Sequence, residues 1–220
     1  MKSDLDVQRD VIAELAWEPS VNAADIGVAV KGGVVTLSGH VESYSEKADA
    51  ERATQRVAGV KALAVEMDVS LPVFSIRTDS DIAGAVENVL LWSSHFPQNA
   101  IKVMVENGWV TLSGEVDWQY QRRAAIASVQ HLMGVTGVSD QIIINPESAV
   151  GDIKLGIESA LKRYAKGDAR NINVEVSVTG DKVTLGGRVH NWAERNLALN
   201  TAWDAPGVRG VVDNMTVAFM

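Results

Sequence analysis

Apolar residues recur at every fourth position in three places along the chain: Val7, Val11 and Leu15; Ile82, Val86 and Leu90; Ile153, Ile157 and Leu161. That spacing gives a helix one narrow apolar stripe. Asp4, Asp79 and Ser148 stand just upstream and are candidate caps. The period then changes to two. Ile26, Val28 and Val30, like Ile101, Val103 and Val105 and like Val174, Val176 and Val178, alternate with other residues, which predicts strands with one buried face. Gly32-Gly33, Asn107-Gly108 and Gly180-Asp181 follow as hairpin turns and lead into Val35/Leu37, Val110/Leu112 and Val183/Leu185. A second helix is marked by small residues at Ala50, Ala53 and Thr54, at Ala125 and Ser128, and at Ala198, Thr201 and Ala202, with Gly59, Gly134 and Gly207 expected as C-caps. Met67 and Val69, Ile142 and Ile144, and Met215 and Val217 mark a closing strand.

These patterns are one internal repeat. Val34-Val35-Thr36-Leu37-Ser38-Gly39-His40-Val41 returns as Trp109-Val110-Thr111-Leu112-Ser113-Gly114-Glu115-Val116 and as Lys182-Val183-Thr184-Leu185-Gly186-Gly187-Arg188-Val189, spaced by 75 and then 73 residues. Gly59-Val60, Gly134-Val135 and Gly207-Val208 each begin 20 residues beyond the matched glycine. The third copy is two residues longer between its first helix and first strand, in the loop expected around Lys166 to Arg170. The expected domains are 1–72, 73–147 and 148–220, joined near Leu71-Pro72 and Asn145-Pro146. Each reads α-β-β-α-β, an α+β unit with a three-stranded mixed sheet and two helices packed on one face. A unit this small buries only about 60% of its unfolded surface, so contact between neighbours is expected.

The Gly-Val-Val-Thr-Leu-Ser-Gly stretch of Gly33–Gly39, the Ala-rich second helix and the closing Gly-Val-x-x-Val together resemble the BON domain, named for bacterial osmotically inducible and nodulation proteins. The resemblance spans the chain as three tandem copies. It implies a non-enzymatic module of stress or envelope proteins, several of which bind phospholipid. The family's closing pattern carries an acidic or Asn residue that Asp140 and Asp213 match, whereas the first copy has Val65.

Composition adds exclusions. There is no Cys, so no thiolate nucleophile or thiolate metal centre is available. The first 20 residues carry Asp4, Asp6, Asp10, Glu14 and Glu18 and no apolar run, so the chain as written reads as cytoplasmic, or periplasmic where an export signal has been removed. No apolar stretch approaches the roughly 20 residues of a membrane span. A net charge of −8 argues against nucleic acid. The histidines His40, His95, His131 and His190 are scattered, no zinc or calcium spacing exists, and Gly186 replaces Ser38 and Ser113 in the third copy, so no catalytic residue, metal or cofactor is expected.

Two features remain as candidate binding residues. Trp17 and Trp92 hold the same place at the end of the first helix, where the third copy has Arg163. They either cover a core or offer partner contact. The copies carry −5, −4 and +1, so only the third can present a basic face, through Lys154, Lys162, Arg163, Lys166 and Arg170 around Tyr164. These either complement a helix C-terminus or, with Tyr164, touch the headgroups of anionic phospholipid peripherally. The leading expectation is thus a non-catalytic BON-type binding protein of osmotic or envelope stress that contacts anionic phospholipid. The alternatives are a protein-protein scaffold or chaperone-like factor, and more weakly a monovalent-cation binder.

Overall fold

The computed structural model describes residues 2–97, 99–145, 152–165 and 173–217. Repeat 1 contains α1 (Asp4–Trp17), β1 (Ile26–Lys31), β2 (Val34–Val41), α2 (Tyr44–Arg56) and β3 (Ala62–Val69). Repeat 2 contains α3 (Asp79–Trp92), β4 (Ile101–Glu106), β5 (Trp109–Val116), α4 (Gln119–Gln130) and β6 (Gly137–Ile144). Repeat 3 contains α5 (Ile153–Ala165), β7 (Asn173–Thr179), β8 (Lys182–Val189), α6 (Trp192–Trp203), β9 (Gly210–Asp213) and β10 (Thr216–Val217). Among the described residues, contacts group into two compact units, 1–115 with 123–143 and 116–122 with 144–220.

Each repeat builds its own mixed sheet with the second strand in the middle, ordered β1-β2-β3, β4-β5-β6 and β7-β8 followed by β9 and β10. In repeat 1 the hairpin pairs β1 with β2 antiparallel, Val28 opposite Leu37, and the crossover through α2 returns β3 parallel to β2. Repeat 3 follows the same plan, except that its last strand breaks after Asp213 and both pieces pair with β8. The amide after each Gly-Val pair ties the last strand to the hairpin turn: Lys61 to the Gly33 carbonyl at 2.8 Å, Thr136 to Gly108 at 2.9 Å and Arg209 to Asp181 at 2.9 Å.

The helix stripes are the buried faces. Val7, Val11 and Leu15, Ile82, Val86 and Leu90, and Ile157 and Leu161 are all buried, against Val35/Leu37, Val110/Leu112 and Val183/Leu185 of the central strands. Each such Leu or Val contributes about 1.5–3 kcal/mol by leaving water. Gly39 and Gly114 lie at φ +118° and +135°, and a Cβ there would run into the carbonyl oxygens of Asp25 and Ala100. That close approach explains why the matched glycine returns.

Two cap expectations change. The N-caps of α1 and α3 are Ser3 and Thr78, each in a capping box with Asp6 or Asp81. Asp4 and Asp79 are the first helical residues and reach across to the hairpin instead. Asp4 accepts from Gly32 and Gly33 at 2.7 and 3.0 Å, and Asp79 from Asn107 and Gly108 at 2.8 Å each. Ser148 lies outside the described residues. Gly59 does not cap α2, which ends at Arg56 with Val57 as its C-cap. It turns the chain beneath α1, where a Cβ would meet Val7 Cγ2 at 2.8 Å.

Candidate binding surfaces

The helix-end tryptophans do not cover a core. Trp17 is 81% and Trp92 87% exposed, two residues beyond the last turn's buried stripe. Helical rotation carries them off the core face: Leu15 and Leu90 are buried, and two residues on the side chain points outward. Around Trp17 the surface is charged. Arg56 of α2 donates to Glu14 at 3.0 Å and Glu18 at 2.7 Å, and this guanidinium holds the Glu18 carboxyl below its ordinary range. Trp92 adjoins Leu91, itself 58% exposed.

The other four tryptophans have partners in their own repeats or lie partly covered. Trp109 rests on Gly137, where a Cβ would overlap its ring. Trp192 stacks under the Arg195 guanidinium at 4.6 Å, Trp203 packs against the third core, and Trp118 is at the edge of exposure.

Of the basic set, Lys162 and Arg163 are exposed in the last turn of α5, and Lys154 pairs with Glu158 at 3.9 Å. Tyr164 belongs to α5, but its side chain, with Lys166 and Arg170, lies outside the described residues. Of the five expected lipid-contact residues, only Lys162 and Arg163 have described side chains.

A repeated carboxamide or carboxylate holds the corner between second strand and second helix. Glu46 accepts from the Asn22 and Glu42 amides at 2.8 and 2.9 Å, Gln121 from Asp117 and Trp118 at 3.0 Å each, and Glu194 from His190 at 2.8 Å. These acceptors satisfy amides that the strand end and the helix start would otherwise leave unpaired. Burial raises both the Tyr44 hydroxyl and the neighbouring Glu51 carboxyl above their usual values.

The histidines stay apart in local pairs, such as His190 with Glu194 at 2.9 Å and His95 with Ser93 at 2.9 Å. Among the described residues no group of three or more His, Asp or Glu could hold a metal, and no helix is long and apolar enough to cross a membrane.

Two grooves recur. One runs between the first and second helices: beside Asp10, Glu14, Trp17 and Ala58 in repeat 1, and beside the equivalent Gly156, Ala160, Arg163 and Pro206 in repeat 3. The other runs between the first helix and the edge strand. It measures about 560 Å³ in repeat 2, lined by Leu90, Leu91, Phe96 and Ile101 with Glu87 and Lys102, and about 350 Å³ in repeat 3, lined by Leu161, Val174 and Val176 with Lys154, Glu158 and Glu175. Sequence reasoning missed this second groove, because Phe96 and Pro97 lie in a loop that the repeat alignment does not single out.

Osmotically-inducible protein Y of Escherichia coli (strain K12) is 29% identical over 143 residues, covering 63% of this chain and 71% of that protein. Two solved structures of CdsD, a structural protein of the type III secretion system of Chlamydia trachomatis, align with 16% identity. The C-terminal domain covers 99% of this chain and all of its own at a TM-score of 0.26, and the other covers 98% and 93% at 0.25. Scores that low carry no argument. The BON domain model matches residues 3–70, 78–146 and 150–218, one match over each α-β-β-α-β repeat. The chain belongs to the BON domain family and carries three tandem copies of that domain.

Proposed function

We propose that this BON-family chain is a non-catalytic stress protein, built of domains 1–72, 73–147 and 148–220, that engages polypeptide partners through Trp17 and Trp92. The exposure of these two side chains, 81% and 87%, at equivalent places in two repeats carries the reading. An exposed Trp is the side chain that gains most when a partner buries it, about 2 kcal/mol or more at an interface centre. Both stand in repeats of net charge −5 and −4, which an anionic leaflet repels. The osmotic-stress assignment rests on the likeness to osmotically-inducible protein Y.

A second reading, contact with anionic phospholipid through Lys162, Arg163, Tyr164, Lys166 and Arg170, has support from the exposure of Lys162 and Arg163. At about 1 kcal/mol each, those two supply roughly 2 kcal/mol, too little for stable attachment alone.

The test pairs two probes: fluorescein-labelled, reduced and carboxymethylated α-lactalbumin as unfolded polypeptide, and phosphatidylglycerol vesicles. The polypeptide reading expects α-lactalbumin to bind and Trp17→Ser/Trp92→Ser to weaken it about tenfold or more. Binding to vesicles alone, weakened by salt and by Lys162→Glu/Arg163→Glu, would replace it with the lipid reading.

A further inference from the structure

β1, β4 and β7 each form one of the two outer edges of their sheets, with backbone donors and acceptors facing away from the central strand. Repeat 1 closes that edge. Gln8 of α1 reaches over and donates its Nε2 to the Val28 carbonyl at 2.7 Å, which shows that Val28 turns its carbonyl outward. In an antiparallel pair the amide and carbonyl of one residue face the same side, so Val28 offers both to the edge. Val103 is the equivalent residue in repeat 2, with Leu112 opposite it as Leu37 is opposite Val28. The helix position that holds Gln8 is Ala83 in repeat 2, whose methyl group can donate nothing.

The groove of about 560 Å³ lies beside β4, walled by Leu90 and Leu91 of α3, by Phe96 and Pro97, and by the edge-strand residues Ile101 and Val103. In repeat 3 the Gln8 place belongs to Lys154, paired with Glu158 at 3.9 Å, and that pair lines a groove shared with Leu161, Val174 and Val176. Repeat 2 sets this edge beside the larger of the two troughs, with Leu90, Leu91, Phe96 and Ile101 along its walls and Glu87 and Lys102 among its polar lining.

We propose that the outer edge of β4 is a strand-addition site whose occupant is an extended polypeptide segment with alternating apolar side chains and Lys or Arg between them. This rests on the polypeptide-partner reading above and names where such a partner pairs. The added strand takes the amides and carbonyls of Ile101, Val103 and Val105, and its alternate side chains fill the trough under α3. Charge selects the basic character. Glu87 and Lys102 both line the trough, Glu106 ends the strand, and the balance of repeat 2 is acidic, with 4 basic against 8 acidic residues. Trp92, next to Leu91 at the end of α3, extends the apolar surface beyond the trough.

The probe is a labelled peptide, Lys-Val-Thr-Val-Lys-Leu-Lys, titrated into the full chain with amide hydrogen exchange followed on β4. A version N-methylated at alternate residues lacks the pairing donors. The expected result is binding of the plain peptide only, with exchange at Val103 and Val105 slowed about tenfold or more. Ala83→Gln, which installs the repeat 1 closure, weakens binding about tenfold, and Ala83→Lys, which copies repeat 3, does the same; a helix accepts either residue. Absence of binding, equal binding of the N-methylated peptide, or unchanged affinity in both Ala83 variants overturns the site. The two readings separate cleanly. If unfolded α-lactalbumin still binds the Ala83 variants but not Trp17→Ser/Trp92→Ser, the edge site falls and the tryptophan reading stands; the reverse pattern keeps the edge and drops the tryptophans.

Discussion

Arg195 of α6 donates its Nε to the Asp213 carboxylate at 2.6 Å, pinning the second helix of repeat 3 to the point where its last strand breaks. The second Asp213 oxygen accepts the Met215 amide at 3.0 Å. In repeat 1 the equivalent residues are Lys47 and Val65, and Lys47 reaches past to the Met67 carbonyl at 2.7 Å while β3 runs unbroken. The departure of Val65 from the family pattern is thus matched by a change of cation. A charge-assisted bond of this kind, with both side chains mostly buried at 24% and 17% exposure, contributes about 1.5–3 kcal/mol. Asp213→Ala is expected to destabilise repeat 3 by that amount, seen as a lower urea midpoint, and Val65→Asp to leave repeat 1 unimproved unless Lys47→Arg accompanies it.

The Asp79 clasp on the Asn107-Gly108 turn fixes helix to hairpin across 28 and 29 residues of chain. Asp79→Ala leaves two turn amides without their acceptor and is expected to cost about 1–3 kcal/mol. Asp79→Asn keeps one acceptor oxygen and should cost less. Thermal unfolding of the two variants, followed by circular dichroism, checks the order.

Gly137 lies under the Trp109 indole so closely that any side chain displaces the ring. Gly137→Val is therefore expected to expose Trp109, shifting its emission to the red, at a cost of about 1–3 kcal/mol from overpacking. Gly210 stands at the same place beneath Lys182, whose flexible chain sits 3.4 Å from a hypothetical Cβ. Gly210→Ala should be nearly neutral by the same assay.

Acid acts on the chain with two signs. Bonds from Ser3 and Thr78 hold Asp6 and Asp81 below their ordinary carboxylate values, and Arg56 does so for Glu18. These groups bind fewer protons folded than unfolded, so their stabilisation is present above about pH 4 and fades as pH falls through the lowered folded values. Glu51 is opposite, because burial raises it. Its protonation favours the fold, so Glu51→Gln is expected to stabilise the chain at pH 7, with the gain vanishing below about pH 4. Urea midpoints of both proteins between pH 3 and pH 7 check the crossing.

The strands and hairpins were legible because period two and the turn glycines are local signals, and Gly32, Gly33, Asn107 and Gly108 do adopt positive φ. The caps were not. Ser3 and Asp4 are both cap-type residues one position apart, and what separates them is a bond from Asp4 to a turn 28 residues away. Gly59 carries the right residue type for a C-cap, but contact with Val7 of another helix sets its place. The identity of Trp17 and Trp92 as equivalents came from the repeat, whereas their exposure depends on a rotation of two residues past the stripe that packing could have overridden. Gln8 gave no signal within its own repeat; only alignment with Ala83 and Lys154 exposes it.

Labelling the six tryptophans with 5-fluorotryptophan and following their fluorine resonances tests the central claim most directly. With unfolded α-lactalbumin, the signals of Trp17 and Trp92, assigned by Trp17→Phe and Trp92→Phe, should shift and broaden, while phosphatidylglycerol vesicles leave both unchanged. Shifts caused by the vesicles and not by the polypeptide, or no response of either resonance to the polypeptide, would contradict the account.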